Sequence, residues 1–333
     1  MQIEFLSNDH SDINLMKQRH SKQKNRLYFS IALYSLIFQF FISTPAYSSK
    51  LITQPANLKY QISSDGTKTF SFPSDVAANA KQVFIVDGGN HRIIAIDKHG
   101  KYLFSFGSYG HEPGQFNYPV GLFVSNKRIY VADSGNHRVQ IFTIDGQYLS
   151  SFPLQHKGKP VRPIDLIVHS RTGNIIVSAS ETHNLMIFSP KGKLLDKWGG
   201  KGKNKGEFRY PATISETPDG HIAVVDVLNN RVQIFNSKGK ATMTVGDWGV
   251  LQGQLVRPKG IAVDKKNNFY VSDSYMNLVQ VFSANGDFIS VLGEHGKPYQ
   301  MITPVGMLVD GNKLYVVEMR AHRVSVYQLE KLK

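Results

Sequence analysis

Two residue constellations in this chain could do chemistry: a carboxylate followed five residues later by an arginine, and histidines at one constant offset. The first reads Asp87…Asn90-His91-Arg92, Asp133…Asn136-His137-Arg138 and Asp226…Asn229-Asn230-Arg231, and returns as Glu318…His322-Arg323. A carboxylate beside a guanidinium can orient a base or a substrate, yet a catalytic constellation is needed once and this one recurs. At that spacing the carboxylate can accept from loop amides and from the guanidinium together. Structural bracing is therefore the expected role of Asp87, Arg92, Asp133, Arg138, Asp226, Arg231, Glu318 and Arg323. The histidines His91, His137, His183 and His322 hold one position in four repeats. Metal–nitrogen bonds must lie near about 2 Å, which side chains held apart by a repeat array do not meet. His111, His156 and His295 would converge only if their loops folded inward.

Other chemistry has little support. The chain shows no nucleophile elbow, His-Glu metal helix, Gly-rich phosphate loop or paired-Cys motif, and it contains no cysteine. No catalytic residue, metal or cofactor is expected.

The elements that position these residues come from a repeat. Six copies of a unit of about 46 residues run from Phe72 to Tyr327, each headed by a proline: Pro73, Pro119, Pro163, Pro211, Pro258 and Pro304. Proline cannot donate to a ladder and suits a strand's first residue. Behind it the sequence predicts four strands: Val120–Val124, Ile129–Ala132, Val139–Phe142 and Tyr148–Phe152 in one copy, with Gly260–Val263, Phe269–Ser272, Val279–Phe282 and Phe288–Leu292 in another. They are rich in Val, Ile, Phe and Tyr and alternate only weakly, as small sheets packed on both faces do. We label them a to d. The sixth copy lacks strand d, whereas Asp65–Phe72 precedes the first proline and reads like His99–Phe106. Thr67–Phe72 is thus expected to pair with Arg323–Tyr327, closing an all-β, six-bladed β-propeller of four-stranded antiparallel blades and hiding its edges.

The pattern resembles the NHL repeat family from about Asp65 to Tyr327. The family's mark, an Asp after strand b and Asn-x-Arg before strand c, is complete in three copies. Copy five has Asn277-Leu278 after Asp273, and copy three has Ala179 and Asn184 in place of both charges. The resemblance implies the propeller fold. Family members bind protein, RNA or glycan, and a few relatives are enzymes, so it implies binding more readily than catalysis. Lyases and lactonases on related propellers use inward-pointing His and carboxylates on the innermost strands, where this chain carries the largely apolar Val120–Val124, Ile164–Val168 and Ile261–Val263.

Ahead of the repeats lies a leader. Lys17, Arg19, Lys22, Lys24 and Arg26 precede the apolar run Leu27–Ile42, and small residues at Ala46 and Ser48 suit a signal peptidase. Residues 1–48 are read as a signal peptide with Met16 as the better start, 49–64 as a linker and 65–333 as the propeller. A retained signal-anchor is the alternative; after cleavage no membrane span remains. The exported chain keeps 34 Lys and Arg against 22 Asp and Glu, a net +12. For a secreted or periplasmic protein that charge points to protein, anionic glycan or other envelope polymer, including lipid head groups, rather than nucleic acid.

The d–a connections, such as Gly107–Tyr118, Gly199–Tyr210, Gly246–Arg257 and Gly293–Thr303, are Gly-rich, basic and aromatic. Tyr118, Arg162, Tyr210 and Arg257 immediately precede prolines, and Lys201, Lys203, Lys205 and Arg209 form a positive cluster. Stacking faces and forked donors of this kind suit a ligand laid across the loops. Two residues after the proline most copies carry Gly, as at Gly121, Gly260 and Gly306; Asp165 and Thr213 stand there instead and would be polar groups at the channel mouth. The sequence thus predicts an exported binding or scaffold module working on its loop face. The alternative is a propeller hydrolase or lyase with a divalent metal, Ca or Zn, in the central channel.

Overall fold

The computed structural model describes residues 51–330 apart from Asn126, so the leader expected over residues 1–48 lies outside the described residues. Six four-stranded antiparallel meanders follow one another. Blade 1 is Pro73–Ala78, Gln82–Asp87, Arg92–Asp97 and Tyr102–Phe106; blade 2 is Pro119–Ser125, Arg128–Asp133, Arg138–Thr143 and Tyr148–Pro153. Blade 3 is Leu166–Val168, Ile175–Ala179, Asn184–Phe188 and Leu194–Gly199; blade 4 is Pro211–Glu216, Ile222–Asp226, Arg231–Phe235 and Ala241–Val245. Blade 5 is Pro258–Val263, Phe269–Asp273, Leu278–Phe282 and Phe288–Glu294. Blade 6 supplies Pro304–Asp310, Lys313–Glu318 and Arg323–Leu329 and takes its fourth strand from the start of the chain.

Six apolar cores lie between the sheets, one at each junction. One joins Phe84 and Val86 of blade 1 to Leu122 and Val131 of blade 2, and another joins Val316 of blade 6 to Val281 of blade 5. The last joins Val76 and Ile85 of blade 1 to Tyr315, Val317 and Val326 of blade 6, which makes the array a ring. Middle strands carry apolar residues on both faces because each sheet has a neighbour on each side. Outer strands such as Tyr102–Phe106 are half-exposed.

The ring closes differently from the sequence expectation. Ala56–Ile62, read as part of a linker over residues 49–64, is the outer strand of blade 6 and pairs antiparallel with Arg323–Leu329, with Tyr60 opposite Val326 and Ile62 opposite Val324. Thr53–Gln54 adds a short parallel edge to the outer strand of blade 5. The propeller therefore begins near residue 51, not 65. Thr67–Phe72 is no blade strand: Thr69 only bridges Ser64, and the segment is the connection into blade 1. Phe70 plugs the junction between blades 6 and 1, the place that Phe116, Phe208 and Leu255 hold two residues ahead of Tyr118, Tyr210 and Arg257. Burying one such ring is worth about 2 kcal/mol, and that plug, rather than a strand ladder, is what the apolar rhythm of DGTKTFSF encodes.

Candidate functional site

Five of the six b–c connections are three-residue 3-10 turns closed by one residue in the left-handed region, His91, His137, His183, Asn230 and His322, all with φ between 54° and 56°; the sixth, in blade 5, is a plain turn ending on Asn277 at φ 59°. The carboxylate before the turn is the hub. Asp133 accepts the Asn117 amide at 2.8 Å, Asn136 Nδ2 at 2.8 Å, Arg138 Nε at 2.8 Å and Gln140 Nε2 at 3.0 Å. Arg138 in turn donates to the carbonyls of His111, Glu112 and Gln115, which ties the incoming d–a loop down onto its blade. Asp226 with Arg231, Asp87 with Arg92 and Glu318 with Arg323 make the same connection at 2.8–2.9 Å. Blade 5 lacks the arginine, and there Asp273 accepts four backbone amides, those of Val256, Arg257, Tyr275 and Met276. Blade 3 has neither charge; its incoming loop is anchored by the Leu154 amide on the His137 carbonyl and by buried Leu154 and Val161, with a surface pair, Arg162 Nε to Glu181 Oε1 at 3.8 Å, beside it.

The residue in the left-handed position also joins neighbouring blades. His91 Nδ1 accepts the Tyr118 amide at 3.1 Å, His183 Nδ1 that of Tyr210 at 3.3 Å, and His322 Nδ1 that of Phe72 at 3.1 Å. Asn277 Oδ1 does the same for Thr303 at 3.1 Å. The accepting side chain steadies an awkward residue: Phe72, Tyr118, Tyr210 and Thr303 have φ between 45° and 63° directly before proline. A side chain in that region costs about 1 kcal/mol. Burial, followed by the nearby Lys68, holds the His91 imidazole below its ordinary pKa, and burial followed by Lys201 does so for His183. Both rings are then neutral at pH 7, as an accepting Nδ1 requires. These histidines are latches between blades. Among the described residues no three His, Asp or Glu side chains stand together as metal ligands. His111 meets Asn136 and His156 meets Lys197, so the loop histidines do not converge.

The b–c and d–a connections leave the meanders at the same end, and the bonds above lace them into one face. Tyr118, Arg162, Lys201, Lys203, Lys205, Arg209, Tyr210 and Arg257 are all exposed on it. Lys205 is partly engaged, its ammonium donating to the Thr242 carbonyl. The Arg209 side chain stays at the surface, while its backbone amide is held by Asp226 at 2.7 Å. Sequence reasoning left out of its candidates several exposed apolar residues on the same face; the most exposed are Trp248, Val250 and Leu251 of the loop before blade 5 and Tyr275 in that blade's b–c turn, followed by Tyr109, Phe72, Ile302 and Leu228. The signal was present in Gly246–Arg257, where apolar residues stand at the offsets occupied by Lys201 and Lys203 in the loop before blade 4.

Asp165 stands apart from this face. It is buried in the wall of a central cavity of about 280 Å³ lined by all six innermost strands. Asp165 Oδ2 accepts the Ile214 amide of the next blade at 2.8 Å, and Oδ1 its neighbour's amide, Leu166, at 2.7 Å. Asp75, two residues after Pro73 and unremarked in the sequence, plays the same part toward Leu122 at 2.8 Å. A Cβ on Gly121 would fall 2.7 Å from Asp165 Oδ1, and one on Gly306 2.6 Å from Asp75 Oδ1, so glycine backbones make room for these carboxylates. Burial pushes the Asp165 carboxyl up to about 7. Burial, and then the Asp165 charge, raises Asp75 well above the usual carboxylate range. A divalent cation such as Ca needs six or more oxygen ligands. Two carboxylates already accepting amides fit that demand poorly.

Known proteins echo the fold. The NHL repeat model matches residues 116–142 and 255–282, the segments running from the plug residue to strand c in blades 2 and 5. No curated protein sequence matches the chain. Among solved structures, a gluconolactonase from Xanthomonas campestris aligns with TM-score 0.61 at 15% identity, covering 86% of this chain and 99% of that one. Virginiamycin B lyase from Staphylococcus aureus aligns with TM-score 0.59 at 13% identity, covering 85% and 97%. A protein of unknown function from Bacteroides thetaiotaomicron gives TM-score 0.62 at 16% identity, covering 84% and 75%. At such identities the likeness is one of fold. The repeat match, the recurring Asp…Asn-x-Arg braces and the six closed sheets agree: the chain is a six-bladed β-propeller whose second and fifth blades match the NHL repeat.

Proposed function

We propose that this propeller is an exported binding module whose working surface is the loop face. The observation that carries this reading is the composition of that face. Exposed rings at Tyr118 and Tyr210 and exposed cations at Lys201, Lys203, Arg209 and Arg257 stand on connections immobilised by buried carboxylates. Rigid anchors lose little entropy on binding, and aromatic and arginine side chains are the usual energetic centres of interfaces. The net positive charge favours a partner of opposite sign, a protein or an anionic envelope polymer. The test is retention on immobilised heparin. The parent should elute only as salt rises, and Arg209→Glu with Arg257→Glu should elute markedly earlier. Unchanged elution of that variant would overturn the proposed face.

A second reading, a hydrolase or lyase working in the channel, has the Asp75–Asp165 pair on its side, since carboxyls with raised pKa in a cavity are common in active sites. The glycine packing and amide acceptance of both residues serve the fold equally well. Stoichiometric Ca or Zn that survives dialysis would favour this reading.

A further inference from the structure

The apolar crest of the loop face points to a more specific partner. Trp248, Val250 and Leu251 lie within four residues of one connection and are 74%, 73% and 69% exposed. Nothing walls them into a groove; they protrude. The loop beneath them is rigid: the Leu255 amide is bonded to the Asp247 carbonyl and the Gly253 amide to Gln280 Oε1, and Leu255 plugs the junction of blades 4 and 5. Tyr275 stands in the blade 5 turn tied to the same loop through Asp273. On the adjoining connection the equivalent crest is basic, with Lys201 paired to Phe208 in the same bridge that pairs Trp248 to Leu255.

From these observations, and resting on the loop-face reading above, we propose that blades 4 and 5 dock on the surface of an anionic phospholipid bilayer. Trp248, Val250 and Leu251 enter the interface, and Lys201, Lys203 and Arg209 meet the head groups. A protruding Trp-Val-Leu crest gains by entering a fluid apolar phase without a complementary pocket, and tryptophan favours the head-group boundary. Flanking cations add attraction that exists only where the lipid is anionic.

The test is co-sedimentation of a chain starting at Ser49, which holds every strand of the closed ring, with phosphatidylcholine vesicles with and without phosphatidylglycerol. The parent should bind the anionic vesicles and not the neutral ones. Trp248→Ser with Leu251→Ser should bind about tenfold more weakly at an unchanged melting temperature, since both side chains are exposed. Equal binding by that variant, or no binding by the parent, overturns the inference. If the parent ignores vesicles yet elutes from heparin late, and Arg209→Glu with Arg257→Glu releases it, the loop face binds a soluble polyanion or acidic protein instead. Failure on both supports removes the face itself.

Discussion

The imidazole of His91 in blade 1 accepts the backbone amide of Tyr118 in blade 2 at 3.1 Å, and the two rings meet edge-on with centroids 4.8 Å apart. His183 and Tyr210 repeat the pair two blades on, with centroids 5.0 Å apart. One side chain thereby secures a strained residue, joins two sheets and fixes an aromatic ring on the loop face.

That arrangement carries a pH signature. Both imidazoles titrate below their unfolded value, so the unfolded chain binds the extra protons first as pH falls. Their stabilisation is complete above about pH 6.5 and is lost as pH drops through the lowered folded values. Asn277 fills the same role with no titrating group, so His91→Asn with His183→Asn should unfold with less acid sensitivity as pH falls below about 6.5. Thermal melts across that range check it; an unchanged slope would show that the latches do not titrate.

The channel carboxylates work in the opposite sense. Their folded values lie above the unfolded one, so their contribution is full below about pH 4 and is lost as pH rises through the folded value, about 7 for Asp165. Asp165→Asn should flatten the decline in stability toward pH 8 while leaving the acid side to the histidines. Urea midpoints of parent and variant from pH 5 to 8 separate the two effects.

The two kinds of loop attachment should differ sharply in strength. Asp133 is fully buried and accepts four donors, so Asp133→Ala removes the acceptor shared by the Asn117 amide, Asn136, Arg138 and Gln140 and should cost about 3 kcal/mol. The Arg162–Glu181 pair beside the blade 3 loop is over half exposed, and Glu181→Ala should change stability by less than about 0.5 kcal/mol. Chemical denaturation of both variants measures the contrast.

Much of this was legible in the sequence. Proline spacing, four short strands per unit and the Asp…Arg interval specify blade number, strand order and brace, because each depends on residues a few positions apart. The closing strand was not legible. Ala56–Ile62 is an outer strand with one face in water, so it carries little apolar rhythm, and Thr67–Phe72 resembles His99–Phe106 closely enough to mislead. Lining up Phe70 and Phe72-Pro73 with Phe116 and Tyr118-Pro119 identifies that stretch as a connection. Asp75 escaped notice because its acceptance of the Leu122 amide is an interblade contact that no local pattern records. The Trp248 crest is likewise visible as apolar letters, but only the fold shows them uncovered.

Closure itself is open to a direct check. A chain starting at Ser63 leaves Arg323–Leu329 as an unpaired edge and should aggregate or unfold without cooperativity, whereas one starting at Leu51 should melt like the longer chain. Normal melting of the shorter form would return the closing role to Thr67–Phe72.

The central claim, that the loop face is the working surface, is tested most directly by amide hydrogen exchange of the propeller with and without bound anionic vesicles or heparin. Added protection should fall on residues 199–210, 246–257 and 274–277, where the cations, the apolar crest and Tyr275 lie. Protection confined instead to the opposite face, at the a–b turns 217–221 and 264–268, or to the innermost strands around Asp75 and Asp165, would contradict it.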